Sequence, residues 1–258
     1  YYAIKSSSDL AAERGAYSSY KGSLWSKGIL PLDSVELLKE ERGEEFIEVD
    51  TTTRLDWEGL KKIVKKQGMR NSNVMAIAPT ATIANITGLT QSIEPTYSNL
   101  FVKSNLSGEF TIINMHLVDA LKEIGMWDEV MVYDLKNLNG SLEGINRVPE
   151  ELKKLFATSF EVEPKWLIEA ASRRQKWIYQ SQSLNLYVSE PNGKKLDVMY
   201  KMAWLRGLKT TYYLRSRSAT TSEKSTITNL ELNAVAANQG SEAPEACSIL
   251  DPDCEACQ

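Results

Sequence analysis

The sequence has no cysteine before Cys247, and its three cysteines, Cys247, Cys254 and Cys257, all fall in the last dozen of 258 residues. Three are too few for a disulfide scaffold, and so lopsided a placement in a polar segment points to chemistry. Histidine is almost missing. The single one, His116, lies just inside an expected helix start beside Asn114, where a surface or capping role is plainer than a metal ligand or a base. No apolar run approaches the ~20 residues that cross a bilayer. The first residues also lack the charged, apolar and small-residue order of a signal peptide, so a cytoplasmic address is the default expectation. Basic excess is absent too: 30 Lys and Arg against 34 Asp and Glu give a net charge of -4, which lends no electrostatic support to nucleic-acid binding. An initiator methionine is likewise missing. Tyr1 to Arg14 is helix-forming up to Gly15 with no cap before it, so the chain is expected to be a piece of a longer protein, natural or cut by design.

What remains is an ordinary globular composition, 42% hydrophobic and 25% charged, long enough for one large domain or two small ones. Asp56 is placed to cap a helix through Trp57, Leu60, Ile63 and Val64, with Lys61, Lys62, Lys65 and Lys66 outward and Gly68 as its stop. Residues 73–78 form a short apolar run closed by Pro79, which predicts a buried strand. Asn114 opens a helix stopped by Gly125, and another covers 128–138 before Gly140. Pro149 and Pro164 suit first helical turns. Residues 183–188 alternate like a strand, 196–205 read as helix broken by Gly207, and 209–215 read as a further strand. Repeated helix–strand alternation predicts α/β with a largely parallel sheet. After Arg217 aromatics vanish and Ser, Thr, Asn, Glu and Ala dominate, so a flexible tail is expected.

Three segments carry candidate chemistry. The strand at 73–78 delivers Pro79-Thr80-Ala81-Thr82-Ile83 to a helix start. Backbone N–H groups, the helix dipole and two hydroxyls there suit an anion, while the plainer alternative is a threonine-capped helix. Tyr212 and Tyr213 are adjacent, so on a regular strand their rings would face opposite sides; a backbone turn between them would stack them. Two strand aromatics filling a core is the competing reading. Cys254-Glu255-Ala256-Cys257 is a C-x-x-C pair suited to disulfide exchange, or half of a zinc site. For zinc, only Cys247 is a ready third ligand, and a fourth is not evident.

Met69-Arg70-Asn71-Ser72, residues 78–84, Ser92-Ile93-Glu94-Pro95, Gln180-Ser181-Gln182-Ser183-Leu184-Asn185 and residues 207–215 occur in an order and spacing that resemble the C-terminal half of the large subunit of class I ribonucleotide reductases. The resemblance covers essentially residues 1–217, and the cysteine-ended tail also fits. It implies the C-terminal part of a ten-stranded α/β barrel, a small α/β domain and a flexible tail. Residues 1–110 would hold later barrel strands and the substrate loop, 111–217 the small α/β region and last barrel strands, and 218–258 the redox tail. By resemblance, Thr80, Ala81, Thr82 and Ile83 bind the diphosphate of a ribonucleoside diphosphate. Tyr212 and Tyr213 relay a radical, and Cys254 and Cys257 form the redox pair of the tail, with Cys247 a bystander.

The implied partners are the N-terminal remainder of the large subunit, a metal-containing small subunit that supplies the radical, and thioredoxin or glutaredoxin. No cofactor or metal is assigned to this chain itself, and neither nucleic acid nor membrane is a partner. The family's radical-bearing cysteine has no counterpart here, so the chain alone is expected to be inactive. A binding or assembly module, with a tail for metal or protein contact, is the alternative from another functional class. Glu94-Pro95 is expected to fix a turn near the substrate loop, with a direct catalytic role for Glu94 as the lesser alternative.

Overall fold

The computed structural model describes residues 1–105 and 108–217. The N-terminal quarter is helical. Helix α1 (Tyr2–Arg14) ends where Gly15, at φ 79, sends its N–H back to the Ala11 carbonyl. Short α2 (Leu24–Lys27) and then α3 (Ser34–Arg42) lead to α4 (Trp57–Gln67). The Asp56 carboxylate caps α4 by accepting from the Gly59 amide at 2.8 Å, as its sequence position predicts. Its apolar stripe is fully enclosed: Leu60 and Val64 pack with Ile4, Trp25, Leu30, Trp57 and Met69. Each such aliphatic side chain contributes about 1.5–3 kcal/mol by leaving water. Trp177, far along the chain, stacks on Trp57 with ring centroids 5.4 Å apart and so ties this cluster to the C-terminal segment. Lys61 is less solvated than its helix face predicts, because its ammonium bridges Asp33 at 2.8 Å and Glu58 at 2.9 Å.

Residues 73–78 do not form the expected strand. They contribute a single parallel bridge, Ile77 to Gln182, and Met75 stays 45% exposed. A strand is defined by its neighbours, and the described chain gives this run one residue of partner. Helix α5 (Ala81–Thr87) follows at once. Next comes an antiparallel pair that the sequence reading missed, β1 (Leu100–Asn105) and β2 (Gly108–Ile113), in register from Leu100↔Ile113 to Asn105↔Gly108.

Helices α6 (Met115–Glu123), α7 (Glu129–Asn137) and α8 (Glu150–Leu155) pack beneath it around Leu117, Leu121, Met131, Leu135 and Ile145. Asn114 and Asp128 cap α6 and α7 through the amides of His116 and Met131. Gly140 adopts φ 78 because its backbone lies against the chain: its carbonyl accepts from Asn99 Nδ2 at 2.9 Å, and a Cβ would sit 2.7 Å from the Asn99 amide nitrogen.

The C-terminal segment is the parallel unit expected. Helix α9 (Pro164–Gln175) leads to β3 (Leu186–Val188), α10 (Gly193–Leu205) crosses over, and β4 (Leu214–Ser216) returns parallel to β3. Ile168, Ala171, Leu184, Leu186, Met199 and Ala203 fill the space between helices and strands. Both strands are shorter than the sequence runs suggest. Among the described residues, no helix is long and apolar enough to cross a membrane.

Candidate active site

Thr80 stands just before α5 in the left-handed backbone region, at φ 54 and ψ 25, an uncommon state for a β-branched residue. Its carbonyl accepts from the Ala84 amide at 2.7 Å and closes the first turn. Its hydroxyl does not cap the helix. Instead the hydroxyl oxygen accepts from the backbone N–H of Ser92 at 2.9 Å. Ser92, itself at φ 53, donates its own hydroxyl to the Ser183 carbonyl at 2.8 Å. The expected pair of free hydroxyls is thus half committed to holding the loop, although the Thr80 hydroxyl hydrogen is not used by that bond. Ala81, Thr82 and Ile83 are exposed at the start of α5.

Two residues beyond Ser92 lies Glu94, only 8% exposed. One carboxylate oxygen accepts from the Asn185 backbone N–H at 2.8 Å. The other accepts from Asn185 Nδ2 at 3.0 Å and from the Tyr187 hydroxyl at 2.7 Å. A buried carboxylate is tolerable when its lone pairs are satisfied in this way. Burial, reinforced by the Glu94 charge, raises the Tyr187 phenol well above its ordinary value, so the phenol stays protonated as a donor. Burial lowers the Arg174 pKa, and the nearby Glu94 charge works against that shift. Arg174 Nε donates to Gln182 Oε1 at 3.3 Å, and Gln182 Nε2 donates to the Ala171 carbonyl at 2.7 Å. The Gln-Ser-Leu-Asn run is therefore a wiring segment, with each polar side chain or backbone group turned to a different neighbour.

The tyrosine pair hangs from this segment. The Tyr212 amide donates to the Leu184 carbonyl at 2.8 Å, and the Leu186 amide donates to the Tyr213 carbonyl, also at 2.8 Å. Asn185 Oδ1 accepts from the Tyr213 amide at 3.2 Å. Regular β4 begins only at Leu214, so the alternation of a strand does not govern residues 212 and 213. Their rings come together instead, with centroids 4.1 Å apart and planes tilted by 48°. A hydrogen bond to Tyr213 raises the Tyr212 phenol above its usual pKa. Both side chains remain about half exposed, and the Arg215 guanidinium lies 5.3 Å from the Tyr213 ring.

A continuous path thus runs from Thr80 through Ser92 to Ser183, and from Leu184 and Asn185 to the two tyrosines. The structure brings the loop and the pair named from sequence onto one path; Glu94 has only a turn-fixing or, less plainly, a direct catalytic role in the sequence reading, which overlooks Tyr187 and Arg174. The one available signal was a carboxylate set in the Ser-Ile-Glu-Pro run between apolar and rigid neighbours. His116 occupies the first turn of α6. Cys247, Cys254 and Cys257 lie outside the described residues.

The chain is similar to known proteins over most of its length. The family model described as ribonucleotide reductase, barrel domain, matches residues 1–214. The ribonucleoside-diphosphate reductase subunit alpha of Chlamydia trachomatis serovar D is 56% identical over 271 aligned residues, covering 100% of this chain and 26% of its own length. The Chlamydia pneumoniae subunit alpha is 63% identical over 88% of this chain and 22% of its own. The ribonucleoside-diphosphate reductase large subunit of Danio rerio is 42% identical over 84% of this chain and 26% of its own. Among solved structures, the Actinobacillus ureae class Id ribonucleotide reductase alpha subunit superposes with a TM-score of 0.53 and 26% identity, over 76% of this chain and 37% of that one. The chain spans roughly a quarter of the length of the curated relatives it matches. On the family match to residues 1–214, this chain belongs to the barrel-domain family of ribonucleotide reductases.

Proposed function

We propose that the chain supplies part of the catalytic subunit of a ribonucleotide reductase, converting ribonucleoside diphosphates to deoxyribonucleoside diphosphates by a radical mechanism. The observation that carries this reading is the hydrogen-bonded path joining the Thr80 loop to the adjoining tyrosines, with Ser92 and the 183–185 segment between them. The backbone of Thr80, Ala81, Thr82 and Ile83 takes the substrate diphosphate, because first-turn N–H groups and the helix dipole both favour an anion.

Tyr212 and Tyr213 relay the radical. Phenol oxidation releases a proton and an electron together, so exchange between neighbours breaks one O–H bond as the other forms. Ring centroids 4.1 Å apart suit that exchange. The radical originates in a metal-containing small subunit, and this chain itself holds no cofactor. Cys254 and Cys257 act as a dithiol that reduces the disulfide left by turnover, becoming a disulfide themselves; thioredoxin or glutaredoxin then restores them. The setting is cytoplasmic. The chain works only together with the remainder of the large subunit, since no cysteine precedes Cys247 to serve as the substrate radical site.

The test is Tyr212→Phe and Tyr213→Phe in the complete large subunit assembled with its small subunit. Each removes one O–H and keeps the ring. Turnover is lost while ribonucleoside diphosphate still binds; normal turnover in either variant refutes the relay assignment.

A further inference from the structure

We infer that Glu94 is a positioning residue for the tyrosine pair: through Asn185 it fixes the backbone of Tyr213 and thereby its ring contact with Tyr212. The inference rests on the relay reading of those two tyrosines.

The tyrosines are about half exposed, so side-chain packing alone does not hold their rings 4.1 Å apart. Their backbone does. The Tyr213 carbonyl accepts from Leu186 on one side, and the Tyr213 amide is held by Asn185 Oδ1. Asn185 is 1% exposed, and its amide could in principle face either way. A carboxylate can only accept, so Glu94 turns Nδ2 toward itself. A backbone N–H can only donate, and Tyr213 therefore meets the oxygen. The charge on Glu94 thus dictates the orientation of Asn185, and Asn185 dictates where Tyr213 sits. The Asn185 backbone N–H and the Tyr187 hydroxyl also donate to Glu94, so both carboxylate oxygens are engaged without touching a phenol of the pair. It is a positioning group, and partly buried Arg174 lies near enough to feel its charge.

Exchanging donor for acceptor tests this directly in the complete large subunit with its small subunit. Glu94→Gln places an NH₂ where Asn185 Nδ2 and the Tyr187 hydroxyl now donate. Asn185→Asp sets a carboxylate against Glu94. The double variant Glu94→Gln/Asn185→Asp restores the side-chain pairings with donor and acceptor exchanged, while the backbone N–H of residue 185 still donates to the oxygen at position 94 and the new carboxylate still accepts from the Tyr213 amide. Each single variant lowers kcat on the order of a hundredfold, the scale on which an ångström of misplacement acts, and leaves the KM for ribonucleoside diphosphate within about twofold. The double variant recovers to within about tenfold of the parent.

An aminotyrosine at position 212 or 213, which traps the radical for electron paramagnetic resonance, separates the two ideas. With Glu94 intact the trapped radical forms; with Glu94→Gln its yield falls in parallel with kcat. An unchanged yield and kcat in the single variants overturn the inference. So does a double variant that binds nucleotide normally yet stays as impaired as the singles. No trapped radical with Glu94 intact defeats the relay reading itself, and this inference with it.

Discussion

The backbone N–H of Ser92 donates to the hydroxyl oxygen of Thr80 over 2.9 Å, and both residues hold left-handed angles, φ 53 and φ 54. Two non-glycine residues in that region cost on the order of 1–3 kcal/mol each unless the surroundings impose them. Here each helps impose the other, and the Ser92 hydroxyl anchors the pair to Ser183. Thr80→Val keeps the branched shape and deletes the acceptor. Substrate binding by the complete large subunit then weakens about tenfold, a loss of about 1.4 kcal/mol. Calorimetric titration with a ribonucleoside diphosphate measures it, and an unaltered Kd would show that the loop does not shape the substrate site.

Asp128 caps α7 and also takes both guanidinium nitrogens of Arg147 at 2.6 Å, which brings its carboxyl down to about 2. Because the folded pKa lies below the unfolded one, the stabilisation is complete above pH ~4 and is lost as pH falls toward ~2. The two side chains are 46% and 31% exposed, so solvent screening limits the pair to about 1 kcal/mol. Asp128→Asn retains a good capping residue and removes the ion pair. Urea midpoints of the parent and variant should differ at neutral pH and converge near pH ~2. A gap that persists in acid excludes the ion pair as its cause.

Gly140 and Gly125 both have positive φ, 78 and 68, but only one is crowded. A Cβ at Gly140 would meet the Asn99 and Leu100 backbone nitrogens at 2.7 Å, whereas Gly125 has open space around it. Gly140→Ala is expected to cost at least about 3 kcal/mol, against about 1 for Gly125→Ala, where only backbone conformation opposes the change. Thermal unfolding reads the ranking as a fall of roughly 10 °C against a few degrees. Equal falls would place the burden on conformation alone.

Cys254→Ser/Cys257→Ser, made together, separates a thiol shuttle from a structural role for the tail. Turnover of the assembled enzyme stops with thioredoxin or glutaredoxin and continues with a small dithiol that reaches the barrel unaided. Loss with both reductants alike refutes the shuttle.

Local signals in the sequence proved the legible ones. Asp56, Asn114 and Asp128 cap their helices, because a side chain and the amides it satisfies lie within a few residues. Gly15 and Gly68 terminate α1 and α4 for the same local reason. Strands were harder. Residues 73–78 looked like a buried strand but lack neighbours on most of their length, while the β1–β2 pair escaped notice until its partners were seen together. The close, tilted contact of Tyr212 with Tyr213 is open from sequence, since it depends on where β4 starts. Least legible was the role of Glu94, whose donors come from Asn185, just before β3, and Tyr187 within it, both remote in sequence.

That remoteness bears on how the protein reaches its native state. Glu94 meets Asn185 across 91 positions, Ser92 meets Ser183 across the same interval, and Ile77 reaches Gln182 from further back still. Closing loops of that size carries an entropic toll that nearby contacts such as helix caps avoid. The helices therefore nucleate first, and the junction bearing the two phenols zips up near the end of folding. Mutations there should accelerate unfolding more than they retard refolding.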